Sequence, residues 1–251
     1  MRRALLPTLS IALLLALWQA AALLAASRVL PGPAAVLTVL LREAESGALF
    51  QHLGITLLRV GAAFALAMSV GTAVGLALGR SSALDRLFGP WLVFFLNIPA
   101  LVVIVLAYVW FGLSEAAAIG AVAVNKIPNV VVVVREGARA IDERYVQMAQ
   151  VFRLSPLDRL RHVLLPQLTP FVAAASRSGL ALIWKIVLVV ELLGRSDGVG
   201  FQIHLFFQMF DVAGILAYTV AFVAVVQFLE YAVLQPVEGH LLRWRPVRAE
   251  A

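Results

Sequence analysis

Two features of the sequence combine residue types that could do chemistry. The first is a group of charged side chains that interrupt long apolar stretches, namely Lys126, Arg177, Lys185 and Glu191. A charge at the depth of a bilayer costs about 2.5–3.5 kcal/mol on insertion scales, and it usually faces a helix-bundle interior or a cavity. The second is the pentapeptide GRSDG at positions 194–198, which fits the G-x-S-x-G pattern of a hydrolase nucleophile elbow.

The charges inside the apolar stretches have two interpretations, and the sequence leaves both open. One is structural ion pairing, for example between Glu191 and Lys126. The other is that Lys126 and Lys185 make a cavity attractive to an anion such as nitrate, a sulfonate or a carboxylate. Lys185 and Glu191 do not pair easily with each other, because six residues turn a helix by about 240°. Arg177 lies near the inner end of its stretch, where a long side chain can reach lipid headgroups.

Other catalytic and cofactor motifs are weak or absent in the sequence. The GRSDG motif follows an apolar helical stretch rather than a strand, so we expect a turn, with a hydrolase using Ser196 as an alternative. The four histidines are scattered without metal-ligand spacing, and the chain has no cysteine. Neither lysine lies in a G-x-x-x-x-G-K-[ST] phosphate loop. We therefore expect a chain that is not an enzyme and that itself holds no metal or cofactor.

Membrane-spanning helices are the elements that must position these residues. The chain is 62% hydrophobic and 14% charged, and its mean hydropathy of +0.95 is too high for a soluble globule. A span needs about 20 apolar residues, and it is helical because lipid leaves unpaired backbone groups without partners. We predict an all-α integral membrane fold with six transmembrane helices, at residues 4–26, 60–79, 87–114, 116–134, 163–194 and 212–229.

Basic residues predict the orientation of the chain. With a cytoplasmic N-terminus, 13 of the 20 Lys and Arg residues lie in inside segments, and the last three of these are Arg243, Arg245 and Arg248. Only Arg28, Arg42 and Arg195 lie outside. The net charge of +6 therefore indicates positive-inside topology rather than nucleic-acid binding. The first apolar stretch has 23 residues, longer than the core of about 7–15 in a signal peptide, so we expect an uncleaved anchor.

Glycine and proline positions predict how the helices pack and break. The second span contains a ladder of glycines four residues apart, Gly71, Gly75 and Gly79. Small residues at this spacing let two helix backbones approach closely. Pro99 and Pro128 lie inside the third and fourth spans and are expected to kink or interrupt them. The outside segment at 27–51 is expected to carry a short helix against the membrane surface.

A charged insert separates the fourth and fifth predicted spans. Ten of the 28 residues at 135–162 are charged, yet apolar residues recur there at helical spacing, at Ile141, Tyr145, Met148, Ala149 and Phe152. Ser155 followed by Pro156 and Asp158 is typical of a helix start. We predict two short helices with a bend at 153–155, followed by a fifth span that opens at Pro166. An apolar stripe on a water-facing helix indicates a docking partner.

The same insert carries a spaced pattern, Gln147-Met148-Ala149, then Arg153, Val163 and Leu165-Pro166. It resembles the cytoplasmic signature of permease subunits of type I ATP-binding-cassette importers, which reads E-A-A, three residues, G, nine residues, I, one residue, L-P. The last part matches, whereas glutamate, alanine and glycine are replaced by Gln147, Met148 and Arg153. The segments NIPALVVIVLAYVWFGLSE, REGARAIDERYVQMAQVFRLSP and VVELLGRSDGVGFQI resemble nitrate/sulfonate/taurine-type permeases in the same order, and the resemblance covers roughly residues 28–235.

This resemblance implies a type I importer permease fold, with a first helix at 1–30, a permease core at 31–251 and a cytoplasmic coupling segment at about 135–165. It implies a bacterial inner membrane, an ABC ATPase subunit that carries ATP and Mg²⁺, an extracytoplasmic solute-binding protein and a second permease copy. The residues expected to couple to the ATPase are Tyr145, Gln147, Met148, Ala149, Phe152, Arg153, Leu154, Ser155, Pro156 and Pro166. The expected pathway residues are Asn97, Lys126, Arg177, Lys185 and Glu191.

The expected function is passage of a small polar or anionic solute, such as a sulfonate, taurine, nitrate or a vitamin precursor, into the cytoplasm. An ATP-independent channel or secondary carrier is the alternative. No convincing repeat relates the two halves of the sequence, which disfavours a carrier built from inverted repeats.

Overall fold

A computed structural model describes residues 2–25, 27 and 29–242, and the regular elements in this part of the chain are all helical. Its α-helices are α1 Arg2–Ala25, α2 Pro33–Glu45, α3 Ala48–Arg80, α4 Ser82–Leu96, α5 Ala100–Phe111, α6 Glu115–Arg139, α7 Glu143–Val151, α8 Pro156–Arg159, α9 Leu165–Gly194, α10 Val199–Gln208, α11 Val212–Leu229 and α12 Gln235–Leu242. Two π-helical turns, Leu160–Leu164 and Glu230–Leu234, join α8 to α9 and α11 to α12. The predicted all-α fold class is confirmed. Arg28 and the basic residues after position 242 lie outside the described residues.

Four continuous helices are long and apolar enough to cross a membrane: Ala48–Arg80, Glu115–Arg139, Pro156–Gly194 and Val212–His240. The pair α4 and α5 has the composition of a fifth span, but the two axes meet at 94°. The apolar part of α1 among the described residues, Leu9–Ala25, is shorter than the roughly 20 residues of an ordinary span. The count of six spans therefore stays a prediction.

The two prolines inside predicted spans behave differently. Pro99 is the N-cap of α5 and lies at the sharp bend after α4, as its missing N–H predicts. Pro128 lies within α6, which continues without a break on both sides, so of the two predicted effects, a kink or an interruption, the interruption does not occur here. Transmembrane helices tolerate proline where neighbouring groups satisfy the freed carbonyl.

The chain divides into two compact units. The first contains the described residues up to Leu57 together with Glu191–Gln227, and the second contains Leu58–Val190 together with the described residues from Phe228. The predicted division at residue 30 stays a prediction. The helix α2 belongs to the first unit. It falls within the segment at 27–51, for which a short helix was predicted.

The glycine ladder brings α3 and α6 into close contact within the second unit. A Cβ atom added to Gly75 would lie 2.8 Å from Cβ of Val134, and one added to Gly79 would lie 2.5 Å from Cβ of Ala138. Gly71 approaches α6 in the same way. Real Cβ atoms cannot approach so closely, so the ladder packs these two helices as predicted.

Candidate functional site

Three polar contacts fix the start of α7, the helix of the charged insert. Asp142 is its N-cap, and the carboxylate of Asp142 accepts a hydrogen bond from the N–H of Arg144 at 2.9 Å. The N–H of Asp142 donates to Oε1 of Gln167 at 3.0 Å. Glu143 forms an ion pair with Arg80 of α3, with 2.8 Å between Oε1 and Nη1. The helix therefore begins at a defined position on α3 and α9.

One face of α7 is buried in the second unit. Val146 and Ala149 are only 2% and 1% exposed. They belong to a core cluster that also contains Val130, Val134, Ala138, Ile141, Val163, Leu168 and Ala175. Burial of an apolar side chain of this size stabilises the fold by about 1.5–3 kcal/mol, so this contact holds α7 against the transmembrane helices.

The opposite face of α7 and the turn after it present large apolar side chains to the surroundings. Tyr145, Met148 and Phe152 are 53%, 45% and 72% exposed. We define the coupling surface by its six exposed apolar residues, Tyr145, Met148, Val151, Phe152, Leu154 and Leu157. The predicted apolar stripe is thus divided, because Ile141 and Ala149 are buried while the other three members are exposed. Gln147 is exposed beside this surface.

The C-terminus of α7 is closed by a Schellman motif. The N–H of Leu154 donates to the carbonyl of Ala149 at 3.0 Å, and the N–H of Arg153 donates to that of Gln150 at 3.0 Å. This motif places Arg153 in the left-handed region at φ 51°. A non-glycine residue there costs roughly 1–2 kcal/mol. Among the described residues, no side chain or backbone group bonds to the guanidinium of Arg153.

The next helix starts as its sequence predicts but does not end where expected. Ser155 accepts a hydrogen bond from the N–H of Asp158 at 3.1 Å, and Pro156 occupies the first turn. Instead of stopping before Pro166, the helix continues through the π turn Leu160–Leu164 into α9. Pro166 therefore lies exposed inside a continuous helix. The wider π turn immediately precedes this residue, which has no N–H to donate to the helix.

Two of the six arginines of the insert, Arg135 and Arg139, are neutralised locally by carboxylates. Asp85 of α4 forms ion pairs with Arg135 at 3.2 Å and with Arg139 at 2.5 Å. Glu136 also pairs with both of these arginines. Four arginines of the insert have no side-chain partner among the described residues, and these are Arg144, Arg153, Arg159 and Arg161.

The two predicted pathway lysines differ in burial, and neither is paired with a carboxylate among the described residues. Lys126 is 3% exposed and lies against α9, where a Cβ added to Gly179 would be 3.0 Å from its Cε. Lys185 is exposed. Neither ammonium forms an ion pair with the described residues. Arg177 forms an ion pair with Glu238 of α12.

Asn97 lies at the C-cap of α4, where its amide donates to the carbonyl of Val93 at 2.7 Å. It is exposed next to the bend before α5. Its amide is therefore used to close the end of a helix.

Glu191 is fully buried and organises a turn in the first unit. Its Oε2 accepts a hydrogen bond from Oγ1 of Thr56 at 2.9 Å and another from the N–H of Gly200 at 2.8 Å. The N–H of Val199 donates to Oγ1 of Thr56 at 2.9 Å, and the N–H of Gly198 donates to Nδ1 of His52 at 3.0 Å. Glu191 thus holds the segment before α10.

The GRSDG pentapeptide forms the turn between α9 and α10. The element before this turn is a helix, whereas a nucleophile elbow requires a strand there. Ser196 is exposed. The position gives Ser196 none of the strand–turn–helix context that activates a hydrolase nucleophile.

Comparison with known proteins identifies the family of the chain. A family model described as "Binding-protein-dependent transport system inner membrane component" matches residues 66–233. The chain belongs to this family. The putative aliphatic sulfonates transport permease protein SsuC of Bacillus subtilis (strain 168) is 30% identical, over 93% of this chain and 85% of that protein. The taurine transport system permease protein TauC of Escherichia coli (strain K12) is 27% identical, over 94% and 88%.

The fold of this permease is also similar to a solved transporter. An inward-facing structure of the MetNI methionine ABC transporter matches with a TM-score of 0.64 at 18% identity, over 74% of this chain and 92% of that chain. The resemblance to importer permeases is therefore confirmed, as is the expectation of a multi-pass membrane protein. In the permease, Arg153 occupies the position of the signature glycine and has a left-handed backbone.

Sequence reasoning missed an ion pair between a buried arginine of the permease and an exposed glutamate. Arg59 is 3% exposed, and its guanidinium contacts Glu115 in a bidentate manner, at 2.9 Å from Nε and 2.6 Å from Nη2. Glu115 lies in the first turn of α6, beside the N-cap Ser114. An arginine within an apolar span is the signal for such a pair. The partner could not be chosen, because it lies 56 residues away in the sequence.

Proposed function

We propose that this permease works as a subunit of an ATP-driven importer and that its coupling surface docks on an ABC ATPase subunit. The supporting observation is the division of α7, with one face fixed in the core and the other presenting six apolar side chains. A large apolar patch on a rigid base is typical of a protein interface. ATP and Mg²⁺ bind to the ATPase in this proposal. Eight of the ten residues predicted to couple belong to the coupling surface or adjoin it in the sequence, whereas Ala149 is buried and Pro166 lies in α9.

The complete importer in this proposal contains two copies of the permease in a bacterial inner membrane. The N-terminus and the insert lie in the cytoplasm, and a solute-binding protein delivers the solute on the other side. The basic insert supports this orientation, because Lys and Arg are enriched in cytoplasmic segments.

The proposed solute is a small anion of the sulfonate class. The named relatives that transport sulfonates and taurine support this class. Lys126 and Lys185 support it as well, because their charges have no ion-pair partner among the described residues. An unneutralised cation at bilayer depth faces a cavity in most membrane proteins. A direct channel or carrier is the competing function.

The docking surface is tested by changing Phe152 to Ser and measuring ATPase binding and solute uptake. Membranes that contain the tagged permease are solubilised, and the ATPase that co-purifies with it is identified by mass spectrometry. Both proteins are then reconstituted in liposomes for the uptake measurement. We expect Phe152→Ser to weaken ATPase binding by at least about tenfold and to abolish ATP-dependent uptake. Phe210→Ser is the matched control, because Phe210 is also exposed and lies outside the coupling surface.

Two results would overturn the proposed function. Solute uptake by the permease alone, without ATPase or ATP, would establish the channel or carrier instead. Equal ATPase binding by the Phe152→Ser and Phe210→Ser variants would remove the coupling surface from the interface.

The anion proposal is tested separately by charge reversal at Lys185. We expect Lys185→Glu to abolish uptake of a radiolabelled alkanesulfonate while ATPase binding persists. Lys185→Arg is the control, because it retains the charge. Unchanged uptake by a folded Lys185→Glu variant would exclude the anion role of this residue.

A further inference from the structure

We propose that the guanidinium of Arg153 binds a carboxylate in an acidic pocket of the partner ATPase. This inference rests on the proposed function, since it concerns the ATPase that docks on the coupling surface. It specifies that the ATPase surface contacted by α7 is negatively charged, and that Arg153 binds this charge.

The backbone of Arg153 is the first observation behind this inference. The Schellman motif requires a left-handed residue at this position, and glycine adopts that conformation without strain. Arginine raises the energy of the isolated permease, and no hydrogen bond or ion pair of its guanidinium with the described residues offsets this cost. Strained backbone of this kind concentrates at functional sites, where another interaction stabilises it.

The surroundings of Arg153 are the second observation. Phe152 and Leu154 flank it directly, and both are exposed members of the coupling surface. When an apolar rim of this kind docks, it excludes water from the charge at its centre. A buried guanidinium without a partner is strongly unfavourable, so the docked surface must supply an anion. A carboxylate fits best, because the planar guanidinium binds it with two hydrogen bonds.

The charge balance of the insert is the third observation. Of its four unpaired arginines, Arg144, Arg153 and Arg161 are exposed and Arg159 is half-buried, whereas its carboxylates are used in other contacts. Asp142 caps α7, the carboxylate of Asp158 accepts a hydrogen bond from the hydroxyl of Ser155, and Glu136 and Glu143 form ion pairs. The surface that remains is positive, and complementary charge on the partner sets both the association rate and the specificity.

The experiment compares ATPase affinity over a range of NaCl concentrations for variants of Arg153. The permease is placed in nanodiscs of phosphatidylcholine alone, and the ATPase is the one identified by co-purification. Arg153→Gly removes the charge. Glycine adopts the left-handed conformation without strain, so the backbone is retained and the variant is expected to fold. We expect its affinity to fall by about thirtyfold at low salt and its salt dependence to become shallower. Arg86→Glu is the matched control, because Arg86 is exposed on α4 and lies outside the coupling surface.

A charge swap identifies the acidic partner. Arg153→Glu is expected to abolish binding, and one Asp→Arg or Glu→Arg change in the ATPase is expected to restore it. Restoration should be specific to position 153 and absent for Arg86→Glu.

Three outcomes would overturn the inference, and they differ from failure of the proposed function. If wild type binds the ATPase but Arg153→Gly binds equally well at every salt concentration, Arg153 has no ionic partner there. If Arg86→Glu weakens binding as much as Arg153→Glu, general charge attraction explains the effect. If the effect of Arg153→Gly requires phosphatidylglycerol in the nanodisc, the guanidinium binds a lipid phosphate instead. If wild type does not bind the ATPase at all, the proposed function fails first.

Discussion

The insert around α7 and the segment around α10 share the same type of helix C-terminus, but different interactions stabilise them. Each contains a short helix closed by a Schellman motif, with a non-glycine residue at positive φ, Arg153 in one and Phe210 in the other. The turn before α10 is held by hydrogen bonds to the buried Glu191 and Thr56. The helix α7 is held mainly by apolar burial of one face.

This difference separates a fixed element from a docking element. Hydrogen bonds are directional, and here the N–H groups of Gly198, Val199 and Gly200 donate to Nδ1 of His52, Oγ1 of Thr56 and the carboxylate of Glu191, respectively. Such a turn has a single well-defined position. Apolar burial on one face of α7 leaves the other face available, and the apolar side chains there can pack against a partner.

Gly198→Ala tests the hydrogen-bonded region most severely. The added Cβ would overlap the carboxyl group of Glu191, and Gly198 also has φ 101°. We expect a loss of about 3 kcal/mol or more, seen as a large fall in the thermal unfolding temperature in detergent. Gly47→Ala is the control, because its φ is 79° but nothing lies within 4 Å of the added atom. Equal losses in both variants would show that backbone strain, and not the contact with Glu191, determines the effect.

Thr56→Val measures the hydrogen bonds themselves. The change removes the donor to Glu191 and the acceptor for the N–H of Val199, leaving buried polar groups unsatisfied. We expect the free energy of unfolding to fall by about 2–3 kcal/mol, measured by denaturation in detergent. Thr219→Val should be nearly neutral, because Thr219 is exposed and bonds only to its own helix at Ile215. A neutral Thr56→Val would mean that the turn is held by other contacts.

Val146→Ala weakens the apolar support of α7 without touching the coupling surface. We expect a loss of about 1–2 kcal/mol and faster hydrogen exchange in the amides of 143–154. The same substitution at Val151, which is 79% exposed, should leave exchange unchanged. If Val151→Ala accelerates exchange as much as Val146→Ala, the assignment of the buried face is wrong.

Arg153→Gly and Phe210→Gly test the strain at the two left-handed residues, and their expected effects are the smallest of the series. Both relieve a left-handed non-glycine residue, and the greater freedom of the unfolded chain offsets part of the gain. We expect each to raise the free energy of unfolding by about 0.5–1 kcal/mol in thermal unfolding. Val151→Gly, at the last residue of α7, should instead lower it by about 0.3 kcal/mol, the difference in helix propensity between valine and glycine. A destabilising Arg153→Gly would show that the arginine side chain supports the isolated permease.

Much of the fold follows from local sequence patterns. The glycine ladder, the break at Pro99 and the cap at Ser155 depend on residues close in the sequence, and each is found where it was predicted, whereas the count of six spans stays a prediction. The bend predicted at 153–155 contains the left-handed Arg153. The continuation of the helix past Pro166 was missed, because a π turn has no simple sequence pattern.

The candidate site was less predictable, because its roles depend on distant partners. The stripe of α7 has the same helical spacing whether it packs on its own protein or on another, so the sequence could not show that Ala149 is buried and Phe152 exposed. The contacts of Glu191 with Thr56 join residues 135 positions apart. A charge in an apolar stretch marks a costly residue but does not identify the group that satisfies it.

The glycine ladder between α3 and α6 has a mechanical consequence. Each glycine fits against one particular side chain of the facing helix, and the narrow gap leaves no room for a Cβ atom. This close fit resists sliding of one helix along the other, so we expect the two helices to move as one block during a transport cycle. Motion that opens and closes a passage must therefore take place at other helix contacts.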